Sequence, residues 1–399
     1  MVTEELLFQG LKVLDLGSWI AAPSCAAMFA DLGAEVIKIE QPEVGDAYRS
    51  YYLLPRSPNA DANYTWTLDN RNKRSLSLNL KAVAGRAILE TLIRQCDVYI
   101  TNQPLPMRRE LGLMWEDLQP LNERMIYASL TAYGEEGPER DKEAFDLVAY
   151  WSRSGLMNQM RHDDVQPRQA MAGMGDHPTG VALYASIVTA LLKRERTGRG
   201  AKVHTSLLAN GLWSASCLAQ AVWADADFSH IPGQSGMTAL FQAADGRWIQ
   251  FSMIRTVEDF DRLVMALGKL EWLTDDRFAT PESRADNTVL FTQMLRELIV
   301  QRASHEWMSL FQAENIPAAL VAQFEDLPND PQVLLNSMAT EPAEELGMPR
   351  VVRDPVNVDG VARVGATHAP DVGEHTDEIL SDLGFTDAQV VQLRNEGVV

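Results

Sequence analysis

The sequence predicts an α/β protein in two parts: a parallel-sheet domain over residues 1–220 and a smaller α+β domain over 221–328, followed by a segment at 329–399. Three observations predict it. Buried-strand patterns alternate with helix-length segments through the first third of the chain. Beyond about Ala221 the pattern changes to a hairpin signal followed by helices. The length, 399 residues, exceeds the roughly 100–200 residues of an ordinary domain and suggests two or three of them.

Leu11 to Leu16 (LKVLDL) reads as a short buried strand, Pro23 to Leu32 as a helix carrying Met28, Phe29 and Leu32, and Glu35 to Ile39 as a second strand. Strand, helix and strand within about 30 residues make a βαβ unit, which requires parallel strands. Ala82 to Gln95 places Val83, Ala87, Ile88 and Leu92 on one helical stripe, and Val98 to Ile100 and Met125 to Leu130 are strand-like. A long helix is predicted from about Pro178 to Arg194, with Tyr184, Ile187, Val188, Leu191 and Leu192 at helical spacing and Thr197-Gly198-Arg199-Gly200 as its stop. Lys202 to Leu207 resembles another strand. In the second part, Phe241 to Ala244 and Arg247 to Phe251 flank Asp245-Gly246, a two-residue hairpin signal. Helices near Val257–Leu267 and Asn287–Ala303 follow, then a strand-like Pro317 to Val321. The tail from about Asp330, rich in Pro, Asp and Val, ends in a short helix after Gly373.

Composition narrows the function. Apolar residues make up 46% and charged ones 23%, a globular mixture. Fifty-five Asp+Glu against 35 Lys+Arg leave a net charge of −20, which repels a phosphate backbone and argues against nucleic acid as a partner. An anionic ligand would need cations gathered locally. The three cysteines (Cys25, Cys96, Cys217) are far apart and form no CxxC pair, as expected in a reducing compartment. No apolar run approaches the 18 or so residues that span a bilayer, and the acidic start MVTEELLFQG lacks a signal-peptide pattern. A soluble cytoplasmic protein, without a membrane partner, is the expectation.

Several chemistries lack their motifs. The turn after the first strand reads Gly17-Ser18-Trp19-Ile20-Ala21-Ala22; the second and third glycines of GxGxxG are missing, although Glu40 stands where a ribose ligand would be. There is no Walker A loop and no GxSxG elbow, and the seven histidines are scattered without HExxH spacing, so no metal site is expected. The most suggestive stretch is Gly173-Met174-Gly175-Asp176-His177-Pro178-Thr179-Gly180, ahead of the long helix. It reads equally as an ordinary helix start, with Asp176 capping and Pro178 in the first turn. It also reads as a reactive site. A carboxylate flanked by glycines is open to an incoming electrophile, it forms an anhydride on attacking an activated acyl group, and loop or helix-start N–H groups can steady an oxyanion.

The chain resembles family III CoA-transferases, the group typified by formyl-CoA and carnitine CoA-transferases and related to α-methylacyl-CoA racemase. The resemblance is carried by LKVLDLGSWIAAPSCAAMFADLGAEVIKIEQPEVGD (11–46), DNRNKRSLSLNLK (69–81), DVYITN (97–102), MAGMGDHPTG (171–180) and LLKRERTGRGAKVHTSLL (191–208). ADGRWIQF (244–251), IPAALV (316–321) and GEHTDEILSDLGF (373–385) extend it over essentially the whole chain. It implies a Rossmann-like large domain without the glycine fingerprint, completed by the returning segment 329–399, a small domain, and an interlocked homodimer. CoA and acyl-CoA enter as substrates beside a carboxylic acid, with no permanently bound cofactor. The aspartate of the family's GxGD loop, here Asp176, is the implied nucleophile. It attacks a donor thioester to give a mixed anhydride, which the released thiolate converts to an aspartyl-CoA thioester; the acceptor acid leaves through a second anhydride.

Position by position, the resemblance implies that Lys73 and Arg74, with Arg71 nearby, contact CoA phosphates and that Asn102 lies near the pantetheine. Lys38, Ala21 and one of Arg108 and Arg109 are further cofactor-binding positions, the NFRPG of the family reading NQPLP here. Gly173 and Gly175 form the loop beside the nucleophile. Ile20 replaces the glutamine of oxalate-using members, and Gly233-Gln234-Ser235-Gly236 is at most a remnant of their glycine-rich lid. A pocket bordered by Trp19, Ile20, Phe145 and Met174 favours a larger, less polar acyl group than formyl or oxalyl. Where racemases carry GHD, this chain has Ala144-Phe145-Asp146, and phenylalanine moves no proton, so transfer is preferred to racemisation. A non-catalytic acyl-CoA binding paralogue is the third reading, which Asp176→Ala separates from an enzyme.

Overall fold

The computed structural model describes residues 6–160, 166–228, 239–251 and 256–399. The chain folds as two units, Met1–Asp225 with Leu335–Val399, and Ala226–Leu334. The larger unit is built on six parallel strands: β1 (Lys12–Leu16), β2 (Glu35–Glu40), β3 (Arg74–Ser77), β4 (Val98–Thr101), β5 (Ile126–Thr131) and β6 (Ala201–Ser206). Their order across the sheet is β3-β2-β1-β4-β5-β6, so the winding reverses between β1 and β4. Such a sheet is covered on both faces, and its strands are correspondingly near-continuous apolar runs.

The period-two alternation of each strand divides the core. Val13, Val36, Val98, Ile100, Ile126 and Ala128 pack on one face with α1 (Ala21–Asp31) and the long helix Asp176–Thr197. Leu14, Ile37, Ile39, Tyr99 and Tyr127 face the other way, onto the helix Val83–Ile93 and the C-terminal helices Thr376–Asp382 and Asp387–Asn395. The C-terminus ties back to the strand ends, the amide of Asn79 donating to the Val398 carbonyl.

The smaller unit is a three-stranded antiparallel sheet, Leu240–Gln242, Trp248–Phe251 and Ala318–Leu320, around a core of Phe241, Phe251, Phe260, Phe291, Trp307 and Phe311. Its first two strands pair across the Asp245-Gly246 turn. The helical stretch expected at Asn287–Ala303 runs Thr288–Ile299, and a separate helix Ser304–Ala313 begins where Asp245 accepts from the Ser304 amide and hydroxyl. The long helix of the larger unit starts two residues before Pro178, at Asp176, and ends at Thr197, capped by Gly198. Sequence periodicity also passed over α2 (Tyr64–Asn70) and the 3-10 segment Ala47–Leu53 before it, which are held by tertiary bonds such as that from the Trp66 indole to the Pro370 carbonyl. Gly233 to Gly236 lie outside the described residues.

Candidate active site

Where a parallel sheet reverses its winding, the loops leaving the carboxyl ends of the two central strands diverge and open a crevice. Here that crevice is a cavity of about 410 Å³, lined after β1 by Ser18, Trp19, Ile20 and Ala21 and after β4 by Asn102 to Leu105. The end of β5 and the segment Arg140 to Phe145 complete it, with Asp176 and Leu207. Asn102 clamps its two sides together: the Ser18 amide donates to its Oδ1 (2.8 Å) and its Nδ2 donates to the Ser18 carbonyl (2.8 Å). The next residue, Trp19, is held at φ 64, a left-handed conformation uncommon for a large side chain. Both Asp46 carboxylate oxygens accept from its amide at 3.1 Å, which fixes that turn and aims the indole edge-on at Phe145, 5.1 Å between ring centroids.

Asp176 opens the long helix, and the loop that delivers it is pinned by a residue sequence reasoning missed. Buried Asp146 accepts from the amides of Gly173 (2.9 Å) and Gly175 (3.0 Å) through one oxygen, and from Leu147 through the other. Both glycines are required sterically. Gly173 sits at φ 88, and a Cβ on Gly175 would lie 2.6 Å from the Tyr150 ring. The expectation that these two amides steady an oxyanion is therefore corrected: they are occupied by Asp146. The Asp176 and His177 amides likewise donate to the Gly173 carbonyl.

Asp176 is 9% exposed and lines the cavity, and among the described residues none donates a hydrogen bond to its carboxyl. Burial, then the negative charge of Asp146, push its pKa up to about 7, with Asp69 adding and His177 opposing. A carboxyl so placed is half ionised near neutrality and carries no shell of donors to dull it. Behind it, His177 Nε2 lies 3.0 Å from Oδ1 of the fully enclosed Asp69 on α2. Burial lowers the imidazole pKa, but Asp69, with Asp176 and the Gly173 carbonyl adding, offsets it and the net shift is upward. Tyr48 and Tyr51 approach the same cluster, and burial followed by nearby carboxylates raises both phenols.

The structure brings Asp176, Trp19, Ile20, Ala21, Phe145 and Asn102 around one cavity. Met174, 51% exposed, stands on the loop but does not line it. The expected phosphate contacts are placed elsewhere. Lys73 is completely enclosed, donating to Asp15 Oδ2 (2.8 Å), the Pro23 carbonyl and Asn70, because the buried carboxylate of β1 requires a counter-ion. Lys38 donates to the Gly17 carbonyl and pairs with Asp46 at 2.9 Å. Arg71 is paired with buried Asp31. Arg74 begins β3, at the amino end of a parallel strand and hence the far edge of the sheet from the cavity, where Glu35 and Asp382 engage it. Of the two arginines before the Leu111-Gly112 turn, Arg108 is buried against the Ser129 hydroxyl and three carbonyls, whereas Arg109 reaches the surface and pairs with Asp141 at 2.7 Å. The cations that do line the cavity, Arg140 and Lys142, come from a stretch that no sequence motif marked. Glu40, the nominal ribose ligand, is engaged by Arg49, Ser75 and the Asp46 amide.

Fold and cavity together define an α/β enzyme with a sheltered, unpaired carboxyl at its switch point. The chain belongs to CoA-transferase family III, whose sequence pattern matches residues 8–376. Among curated proteins it is 31% identical over 398 residues to a (R)-2-hydroxy-4-methylpentanoate CoA-transferase of Clostridioides difficile, covering 99% of this chain and 100% of that one. It is 30% identical to a cinnamoyl-CoA:phenyllactate CoA-transferase of Clostridium sporogenes over 400 residues, 98% of this chain and 96% of the other. Among solved structures, a CAIB/BAIF family protein from Brucella suis superposes with a TM-score of 0.82 at 26% identity, covering 94% of this chain and 98% of that one.

Proposed function

We propose that this CoA-transferase works through Asp176 as a covalent nucleophile, and the observation that carries the proposal is the lone sheltered carboxyl on the cavity wall. An Asp176 oxygen attacks the donor thioester carbon; the C–S bond breaks, CoA leaves as thiolate, and a mixed anhydride remains. The thiolate attacks the aspartyl carbonyl, releasing the donor acid and leaving an aspartyl-CoA thioester. The acceptor carboxylate attacks that thioester, expelling the thiolate and forming a second anhydride. The thiolate then attacks the acceptor acyl carbon, which releases the new acyl-CoA and regenerates the Asp176 carboxylate. Thioester and anhydride are similarly activated, so neither ATP nor an external base is required.

The exposed side chains of Arg140 and Lys142, with Arg109 beside Asp141, are the cations suited to the CoA phosphates. Trp19, Ile20 and Phe145 give the acyl pocket an apolar, aromatic wall, and 58% of Phe145 is exposed. Together with two relatives named for 2-hydroxy acids, this wall supports a 2-hydroxy acid with a branched or aryl side chain as acceptor. Phe145 at the position a racemase needs for proton transfer supports transfer over epimerisation.

A homodimer completes the reading. The helix Ser216–Trp223 buries no residue in the single chain, and Trp213 and Trp223 are 78% and 69% exposed, an apolar surface suited to a second copy. Three free cysteines are consistent with the cytoplasm. The test is turnover of acyl-CoA donors against oxalate, short dicarboxylates and branched or aryl 2-hydroxy acids, with Asp176→Ala as control. Preference for the hydroxy acids, abolished in the variant, is expected. A preference for oxalate overturns the substrate reading, and full turnover by Asp176→Ala overturns the nucleophile.

A further inference from the structure

His177 follows the proposed nucleophile directly in the chain, yet it does not line the cavity and has no part in the transfer steps above. Its ring turns the other way, to Asp69, a carboxylate with 1% of its side chain exposed. An enclosed carboxylate with an imidazole nitrogen at 3.0 Å holds that ring in one orientation and favours its charged form. The Gly173 carbonyl favours the same form.

The surroundings show why a cation is needed there. Asp146 faces Asp176 from the turn that pins the glycine loop, and Asp69 approaches from α2. Tyr48 and Tyr51, from the 3-10 segment Ala47–Leu53, add polar but neutral groups. On the far side of Asp69, Lys73 belongs to Asp15. The exposed Arg140, Asp141, Lys142 and Glu143 also line the cavity and largely cancel in charge. Three carboxylates thus share one covered region, and His177 is the positive group among those acting on Asp176.

We propose that the Asp69–His177 pair is a fixed counter-cation for the Asp176 carboxylate: Asp69 holds the imidazolium in place, and the imidazolium lets Asp176 remain an ionised nucleophile under cover and beside Asp146. His177 is thus a positioning residue, acting through Asp176 rather than on substrate. The pair would set the pH range of the enzyme without touching the acyl group. This inference rests on Asp176 being the nucleophile.

The test compares the pH dependence of kcat/KM for the wild-type enzyme, His177→Gln, Asp69→Asn and the double variant. The His177 charge lowers the Asp176 pKa, so the acid limb of His177→Gln should shift upward, by about one unit. Activity then falls roughly tenfold below the limb and recovers in alkaline buffer. Asp69→Asn removes the anchor of the imidazolium but also a carboxylate that itself raises Asp176, so its limb should shift less than that of His177→Gln, and the double variant, free of that carboxylate, should lie below His177→Gln. A loss equal at every pH, or an unshifted limb, overturns the proposal. Nitrogen-15 NMR of the wild-type histidines supplies a readout independent of variant folding: His177 should be an imidazolium at neutral pH, and a neutral ring there overturns the proposal by itself. Asp176→Ala run alongside separates the two ideas. If it retains turnover, the nucleophile reading has failed. If it is inactive while His177→Gln keeps the wild-type acid limb, only the counter-cation has failed.

Discussion

Asp176→Asn should abolish turnover and make the protein more stable at neutral and alkaline pH. Burial and the Asp146 charge lift the carboxyl from an ordinary 3.8 to about 7. At about 1.4 kcal/mol per unit, keeping it ionised in the folded state costs up to about 4 kcal/mol. The sign follows from proton uptake. Between the unfolded and folded pKa values the native state holds a proton that the unfolded chain has lost, so stability falls as pH rises through that window and is level above it. Asparagine has the same shape and never ionises, but its amide buried without a partner loses about 1–3 kcal/mol of the gain. A net advantage of roughly 1–3 kcal/mol remains, or about 2–6 °C in the melting of a unit of this size. Thermal melts of both proteins from about pH 4.5 to about pH 9 measure it: the asparagine variant should start level with or below wild type at the acid end, where its amide penalty dominates, gain on it up to about pH 7, and then stay above it in parallel. An asparagine variant no more stable than wild type at alkaline pH, or a gap independent of pH, refutes the argument that this carboxyl is held in an environment hostile to its charge.

Three further predictions concern the residues around it. Asp146→Asn removes the charge beside Asp176 while keeping an acceptor for the glycine amides, so the acid limb of kcat/KM should move to lower pH; Asp146→Ala strips two buried amides of their acceptor and should cost roughly 2–6 kcal/mol in denaturant titrations. Lys73→Met should destabilise the fold by about 3–5 kcal/mol by leaving Asp15 buried and unpaired, in place of the selective rise in KM for acyl-CoA that a phosphate ligand would produce. Arg140→Ala and Lys142→Ala should raise that KM by about threefold to tenfold at low salt with kcat little changed, the effect fading as ionic strength screens it.

The parts of this molecule written in local sequence were legible there. β1, α1 and β2 announce themselves because buried parallel strands are unbroken apolar runs, and the long helix because Tyr184, Ile187 and Leu191 share a face. The glycine-flanked Asp176 stood out for the same reason: the loop that frees a carboxyl is contiguous. The cations were misplaced because pairing is a tertiary property. Nothing near Lys73 in the chain reveals that its ammonium is taken by Asp15, 58 residues away, or that Arg74 starts its strand at the edge of the sheet remote from the cavity. Asp146 lies 27 and 29 residues from the two amides it holds, and Asp69 lies 108 from His177, so neither partnership leaves a motif. The Ala144-Phe145-Asp146 triplet drew notice for the proton donor it lacks, while its aspartate proved to be the residue that shapes the loop.

The central claim, covalent passage of the acyl group and CoA through one side chain, is tested most directly by intact-protein and peptide mass spectrometry after the enzyme meets a donor acyl-CoA with no acceptor present. Borohydride or hydroxylamine trapping should then modify a single peptide, the one containing Asp176, and the untrapped protein should carry the mass of CoA in thioester linkage. Unmodified Asp176 under conditions where transfer proceeds, or a label on another residue, contradicts the account.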